Sequence, residues 1–126
     1  MYTLTTFKRT LVSLAFLVLV VPGSGICDDT NGQYYARSSA VRSCGTYVDD
    51  RRNGSGVYYE MWVTGYVTAF NHVYPATYDI LGNTDITGAM LWLENHCRQN
   101  PLRQFGVAVN ALINELYPTR TTQAPK

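Results

Sequence analysis

Long apolar runs, histidine, lysine and clustered positive charge are all scarce in this chain, and each scarcity removes a class of protein. The one sustained apolar run is Leu11 to Val21, broken by Ser13. A bilayer span takes roughly 20 apolar residues, so no stable transmembrane span is expected in the mature chain. Histidine occurs only at positions 72 and 96. Beside His96 stand Glu94 and Cys97, but adjacent helical residues point in different directions, so His96 and Cys97 cannot hold one ion together. No metal site and no cofactor are expected. There is no glycine-rich phosphate loop, no serine in a nucleophile-elbow setting and no spaced carboxylate dyad. Cys27, exposed near a terminus, is a poor nucleophile for His72 to activate. The chain therefore reads as non-enzymatic, with no catalytic residues. Its basic residues are scattered, Arg51-Arg52 being the only adjacent pair after the first 25 residues, and counterion-release binding needs clusters. Nucleic acid is not expected as a partner.

What is present begins with an export pattern. Lys8 and Arg9 precede the apolar run, and Pro22, Gly23, Ser24 and Gly25 follow it. A basic region, a short apolar region and a small-residue exit are the parts of a secretory signal peptide, here residues 1–25, and they imply export. Cys27 lies just beyond, which opens a second reading as a lipid-anchored surface lipoprotein; the branched Ile26 before it disfavours lipidation. Cleavage after Gly25 removes Lys8 and Arg9, leaving eight basic against nine acidic residues, a net charge of −1. About 100 residues remain, the size of one small domain.

Three cysteines in an exported chain imply one disulfide and one remainder. Cys44 and Cys97 are the expected pair, because each falls within a predicted helix. Cys27 is then lipidated, free or paired with another chain.

Residues 26–37 read as a polar, extended lead-in. Ser38 or Ser39 is expected to cap a first helix with Val41, Cys44 and Val48 on one face and Tyr47 beside them. Asp49 to Gly56 reads as a charged loop, and its Asn53-Gly54-Ser55 as a plain turn rather than a glycosylation site. The central segment, Tyr58 to Val73, carries Tyr58, Met61, Trp62, Gly65, Tyr66, Ala69, Phe70 and Val73 at helical spacing, an apolar stripe expected to face the core. Its strand-favouring residues allow a strand, but alternation fails at Met61-Trp62-Val63 and Tyr66-Val67. Gly65 inside the stripe suggests a close backbone approach. Residues 74–85 read as a long connection tucked in by Tyr78, Ile80 and Leu81. Thr84 or Asp85 then caps a helix whose shared face is Ile86, Ala89, Met90, Leu93 and Cys97. Asn100-Pro101 reads as the cap and first position of a last helix with Leu102, Phe105, Val109, Leu112, Ile113 and Leu116 as its stripe. Residues 118–126 read as a disordered tail. The fold class is all-α: a small four-helix domain, 38–117, stapled by one disulfide, Cys44–Cys97.

Ten tyrosines and two tryptophans are many for this length. Most serve a thin core, where each ring buries on the order of 150–250 Å². Tyr and Trp are also enriched at interfaces, which makes Tyr58, Tyr59, Tyr66 and Trp92 the candidate surface for a protein partner or for a second copy of the chain in a homodimer.

Several spacings resemble a known family. Cys44-x-x-Tyr47, Trp62-Val63-x-Gly65-Tyr66, Trp92-Leu93-x-x-x-Cys97-x-x-Asn100-Pro101 and a last helix with Ala108-Val109 look like the HdeA/HdeB family of small periplasmic acid-stress chaperones, over residues 40–117. The resemblance implies an all-helical fold with one disulfide, closed at neutral pH and opening in acid to coat unfolding clients with the apolar helix faces around Trp62 and Leu93. Nine carboxylates would lose their charge toward pH 2–3, and the resulting self-repulsion favours opening, although the chain lacks the dense lysines that would keep client complexes soluble. A weaker resemblance is to the Rap1a/Tai immunity proteins, which bind a partner protein. Those carry further cysteines near the carboxyl end, and this chain ends Tyr117-Pro118-Thr119 without one. For an immunity or inhibitor protein, the surface aromatics and the 74–85 connection would be the contact region.

Overall fold

The hydrophobic centre is an aromatic triangle. Tyr47, Tyr59 and Phe105 lie with ring centroids 4.6–5.0 Å apart, and each comes from a different helix. A computed structural model describes residues 29–31 and 33–126; the expected signal peptide and Cys27 lie outside the described residues. Four helices follow in order: α1 (Cys44–Arg52), α2 (Val57–Val73), α3 (Ile86–Gln99) and α4 (Phe105–Leu116). Short 3-10 turns, Ser38–Val41 and Tyr117–Thr119, flank them. Among the described residues there is no strand, only two isolated bridges, Ser43 with Gln104 and Asp79 with Thr121. The protein is an all-α four-helix domain, and Cys44 is bonded to Cys97, tying the start of α1 to the end of α3. Residues 34–126 make one compact unit. The described part of residues 1–33 is a turn in which Asp29 Oδ1 accepts from the Asn31 and Gln33 amides.

The start of α1 is satisfied by a distant loop. The first N–H groups of a helix have no partner within it. Here Cys44 N–H donates to the Arg103 carbonyl (2.7 Å) and Gly45 N–H to the Pro101 carbonyl (2.9 Å). Thr46 N–H donates to Ser43 Oγ at 3.1 Å. This use of the 100–104 loop corrects two expectations. Asn100-Pro101 does not open α4: Asn100 ends α3 with its amide on the Cys97 and His96 carbonyls, α4 begins at Phe105, and Leu102 is 95% exposed. Nor do Ser38 or Ser39 cap α1. Ser38 takes a left-handed φ of 57° at the head of its own turn, and Ser43 is the cap. Val41 is exposed, while Asp49 to Arg52 are helical, so the loop shrinks to 53–56.

Helices α3 and α4 bury the faces their spacing gives: Ala89, Met90, Leu93 and Cys97 from one, Phe105, Val109, Leu112 and Ile113 with Ala108 from the other. Asp85 is the cap of α3, accepting from Gly88 N–H at 2.7 Å. In α2 the helix is as expected and its orientation is not. Tyr59, Val63 and Val67 are buried, whereas Tyr58, Met61 and Val73 are exposed and Trp62, Tyr66 and Phe70 sit at the edge. The two stripes are one residue, about 100°, apart, and Val63 and Val67 with Tyr59 take the centre while Trp62, Tyr66 and Phe70 take the boundary. A Cβ on Gly65 would meet nothing within 4 Å. Among the helical glycines a close approach comes instead at Gly106, where a Cβ would lie 3.2 Å from both Cβ and the carbonyl oxygen of buried Ala40.

In the 74–85 connection Ile80 is fully buried and Leu81 half-buried, but Tyr78 is exposed. The first part of the tail expected to be disordered, as far as Thr121, is instead fastened to this connection. Thr121 exchanges hydrogen bonds with Asp79 and accepts from Tyr78 N–H. Arg120 lies 3.8 Å over the Tyr117 ring and donates to the Ala76 carbonyl and Thr77 Oγ1. Gly82, at φ +58°, lies where a Cβ would come within 2.6 Å of the Thr119 carbonyl oxygen, so no side chain fits.

Candidate functional site

The outer side of α2 and the segments beside it form the candidate binding surface. α2 is amphipathic with its apolar residues on more than one side, so folding leaves Val57, Tyr58 and Met61 exposed by 53–68%. Farther along, Trp62 stacks on Tyr66 with centroids 5.2 Å apart. The two rings border a cleft of about 180 Å³ that Tyr34, Tyr35 and Gly106 complete. The cleft is held by a polar chain: Tyr66 O–H donates to Asn110 Oδ1 (2.7 Å) and Asn110 Nδ2 donates to the Tyr34 hydroxyl (3.2 Å). Burial, then the neighbouring Tyr34, raises the Tyr66 phenol above its ordinary pKa, so it stays a donor.

The residues singled out from sequence do not form one patch. Tyr58, Trp62 and Tyr66 follow one another along α2, but Tyr58 lines a different cavity from the other two. Tyr59 is buried in the aromatic triangle. Trp92 is on α3, half-buried and stacked on His96 at 4.9 Å. Leu93 is fully buried and is not on the surface of the closed fold; its place in the α3 stripe puts it in the core between helices. Tyr34, Tyr35 and Asn110 were missed. An aromatic pair inside an otherwise polar lead-in was the available signal for the first two, while Asn110 reads as an ordinary polar helix residue.

A second arrangement joins α1 to α3. The disulfide holds the first residue of α1, and an ion-pair cluster holds its other end: Arg51 Nε lies 2.9 Å from Glu94 Oε2, and Arg98 pairs with the other Glu94 oxygen. Between them the Tyr47 hydroxyl donates to the Met90 carbonyl at 3.1 Å. The hydrogen bond from Arg98, reinforced by the charges of Arg51 and Arg98, holds the Glu94 carboxyl below its usual range. Among the described residues, no three His, Cys, Asp or Glu side chains gather in a way that could hold a metal ion, and no helix is long and apolar enough to cross a membrane. Compared with models of known families, with curated proteins and with solved structures, the chain matches none.

Proposed function

We propose that this protein is an exported, non-enzymatic binder of unfolded proteins that acts as an acid-stress chaperone of the periplasm. The observation that carries this reading is the unequal joining of α1 and α3. One end of the seam is covalent and indifferent to pH; the other depends on the charge of one carboxylate. Protonating Glu94 removes the attraction to Arg51 and Arg98 while Cys44–Cys97 keeps the helices tethered, so an opened chain stays able to reclose. Opening would uncover the Leu93 face beside the aromatics already exposed on α2, extending an apolar surface that clients could occupy.

One observation favours a second reading, an immunity or inhibitor protein with a dedicated partner. Tyr58 and Met61 are each 68% exposed in the closed fold, so an apolar strip is available without any opening. Such a partner would bind at neutral pH, to a fixed domain.

Acid titration of the oxidised mature chain separates the two. Near-UV circular dichroism and apolar-dye fluorescence are followed from pH 7 to pH 2 with a denaturing client present. Reversible loss of tertiary signal, with dye binding and client protection, is the expected result. A domain that stays closed at pH 2 and protects nothing rejects the chaperone reading and directs the search to partner capture at neutral pH.

A further inference from the structure

A cavity of about 450 Å³ opens between the Ser38–Val41 turn, the last part of α1 and the start of α2. That volume lies in the range of small-molecule sites, roughly 300–1,000 Å³, and the chaperone reading makes no use of it. Its wall carries one cation and one anion, Arg42 and Asp50. Among the described residues neither forms an ion pair, although Arg51, Arg52 and Arg98 nearby all do. Opposite charges that share a cavity without meeting leave room for a ligand that carries both.

Each charge stands on a rigid support. Arg42 N–H donates to the Ser39 carbonyl and the Arg42 carbonyl accepts from Phe105 N–H (2.8 Å), so its backbone is pinned while its side chain is exposed. Asp50 Oδ2 accepts from the Tyr59 hydroxyl at 2.7 Å, and Tyr59 is 3% exposed and packed on Tyr47 and Phe105. Burial, together with the carboxylate it faces, pushes the Tyr59 phenol up to about 12, which keeps it a donor and keeps Asp50 oriented. Asp50 Oδ1 receives no hydrogen bond from the described residues. Exposed Val41 and Tyr58 supply apolar wall. Ser38, at the rim, holds the left-handed backbone that non-glycine residues adopt at a cost and that gathers at ligand sites.

We infer that this cavity binds a small amino-acid zwitterion, a free α-amino acid or dipeptide with an apolar side chain. The guanidinium fork of Arg42 matches the ligand carboxylate in a two-point contact. The free oxygen of Asp50 accepts from the ligand ammonium. The ligand side chain lies against Tyr58 and Val41.

Calorimetric titration at neutral pH, with amide chemical-shift mapping, tests this on the oxidised mature chain. The probes are L-leucine and glycyl-L-leucine, with L-leucinamide lacking the carboxylate and isocaproate lacking the ammonium. Expected are saturable binding of at least one zwitterion, shifts confined to residues 38–42 and 50–59, and affinities for the truncated probes lower by about tenfold or more. Arg42→Gln should weaken the zwitterion to a similar degree and leave leucinamide unchanged. Tyr59→Phe, which keeps the ring and loses only the hydroxyl that orients Asp50, should weaken leucinamide and leave isocaproate unchanged. Absence of saturable binding for both zwitterions overturns the inference. So does equal affinity in native chain and Arg42→Gln variant, a surface change that leaves the core intact. Either result is independent of the acid titration above, since no opening is involved.

Discussion

Helix α4 buries five of its 12 residues and helix α2 three of its 17. The shorter helix is the better anchored, and the manner of anchoring differs as well. The α1–α3–α4 side is held by a covalent bond, by loop carbonyls that receive the first amides of α1, and by the Glu94 cluster. Helix α2 is held by its valines and by single side-chain hydrogen bonds spaced along it: Tyr59 to Asp50, Tyr66 to Asn110, and the Asn71 Oδ1 that accepts from Ile80 N–H. Stability is not uniform across such a fold, and the elements with fewest buried apolar contacts open first. Helix α2 is therefore the more weakly anchored element, and its outer side carries apolar residues that the fold already leaves exposed.

Breaking the staple is the largest test of that contrast. Cys44 and Cys97 are 53 residues apart in sequence, and closing a loop of that length stabilises the fold by about 4 kcal/mol on the chain-entropy estimate. Urea unfolding with and without reductant should show a loss of that order. Hydrogen exchange in the reduced protein should quicken first in α1 and at the end of α3. If α2 loses protection first, the stapled side is not the more dependent on its covalent bond.

Gly106→Ala comes next. The added methyl would press on the Cβ and carbonyl of Ala40, a buried residue whose backbone has little freedom to yield. Overpacking costs about 1–3 kcal/mol, offset in part by up to about 1 kcal/mol of helix propensity. A net destabilisation of about 1–2 kcal/mol is expected, read from the thermal or urea midpoint.

How far the sequence carried the fold differs between the same two sides. The α3 and α4 faces were legible because Ala89, Met90, Leu93 and Cys97, and Phe105, Val109, Leu112 and Ile113, recur at helical spacing, although Leu91 and Trp92 lie off the first stripe. The Cys44–Cys97 pair was legible from helix placement. In α2 two adjacent stripes are both apolar, Tyr58-Trp62-Tyr66 and Tyr59-Val63-Val67, and ring size pointed to the wrong one. What decides is long-range: Asp50 offers Tyr59 an acceptor, and Phe105 offers it a ring. The Asn100-Pro101 reading failed for a similar reason. The local cap rule was outweighed by the need of α1, more than fifty residues earlier, for acceptors at its start. The tail was misread because Thr121 pairs through its backbone, which side-chain pattern does not announce. Of the candidate site, the α2 aromatics were legible as residue types, while Tyr34, Asn110, Arg42 and Asp50 became members only when the fold gathered them.

The ion-pair end of the α1–α3 seam gives a smaller, pH-dependent effect. Glu94 has its folded pKa lowered, mainly by the hydrogen bond from Arg98 and then by the charge of Arg51. Its stabilisation is therefore fully present above the unfolded carboxylate value, about 4.3, and is lost as pH falls through the lower folded value. The cluster is partly open to solvent and screened, so Glu94→Gln should cost no more than about 1 kcal/mol at neutral pH. Urea midpoints of the two proteins should converge as pH falls below the carboxylate range, over the interval in which both domains remain closed. A gap that persists there would mean that packing, and not charge, is what Glu94 contributes.

The smallest expected change has the opposite sign and isolates α2. Gly65 sits inside that helix, exposed, with nothing within 4 Å of where a Cβ would stand. Gly65→Ala therefore adds no contact and no clash. It lowers the conformational freedom of the unfolded chain and favours helix, which should stabilise the domain by about 0.5 kcal/mol. The gain should be visible in hydrogen exchange along α2 before it is visible in the global midpoint, because α2 buries the smaller share of its residues. The same substitution thus strengthens the protein at position 65 and weakens it at position 106. A destabilising result at Gly65 would show that another backbone does approach this face, and the outer side of α2 would then be a packed surface and no longer a candidate for binding.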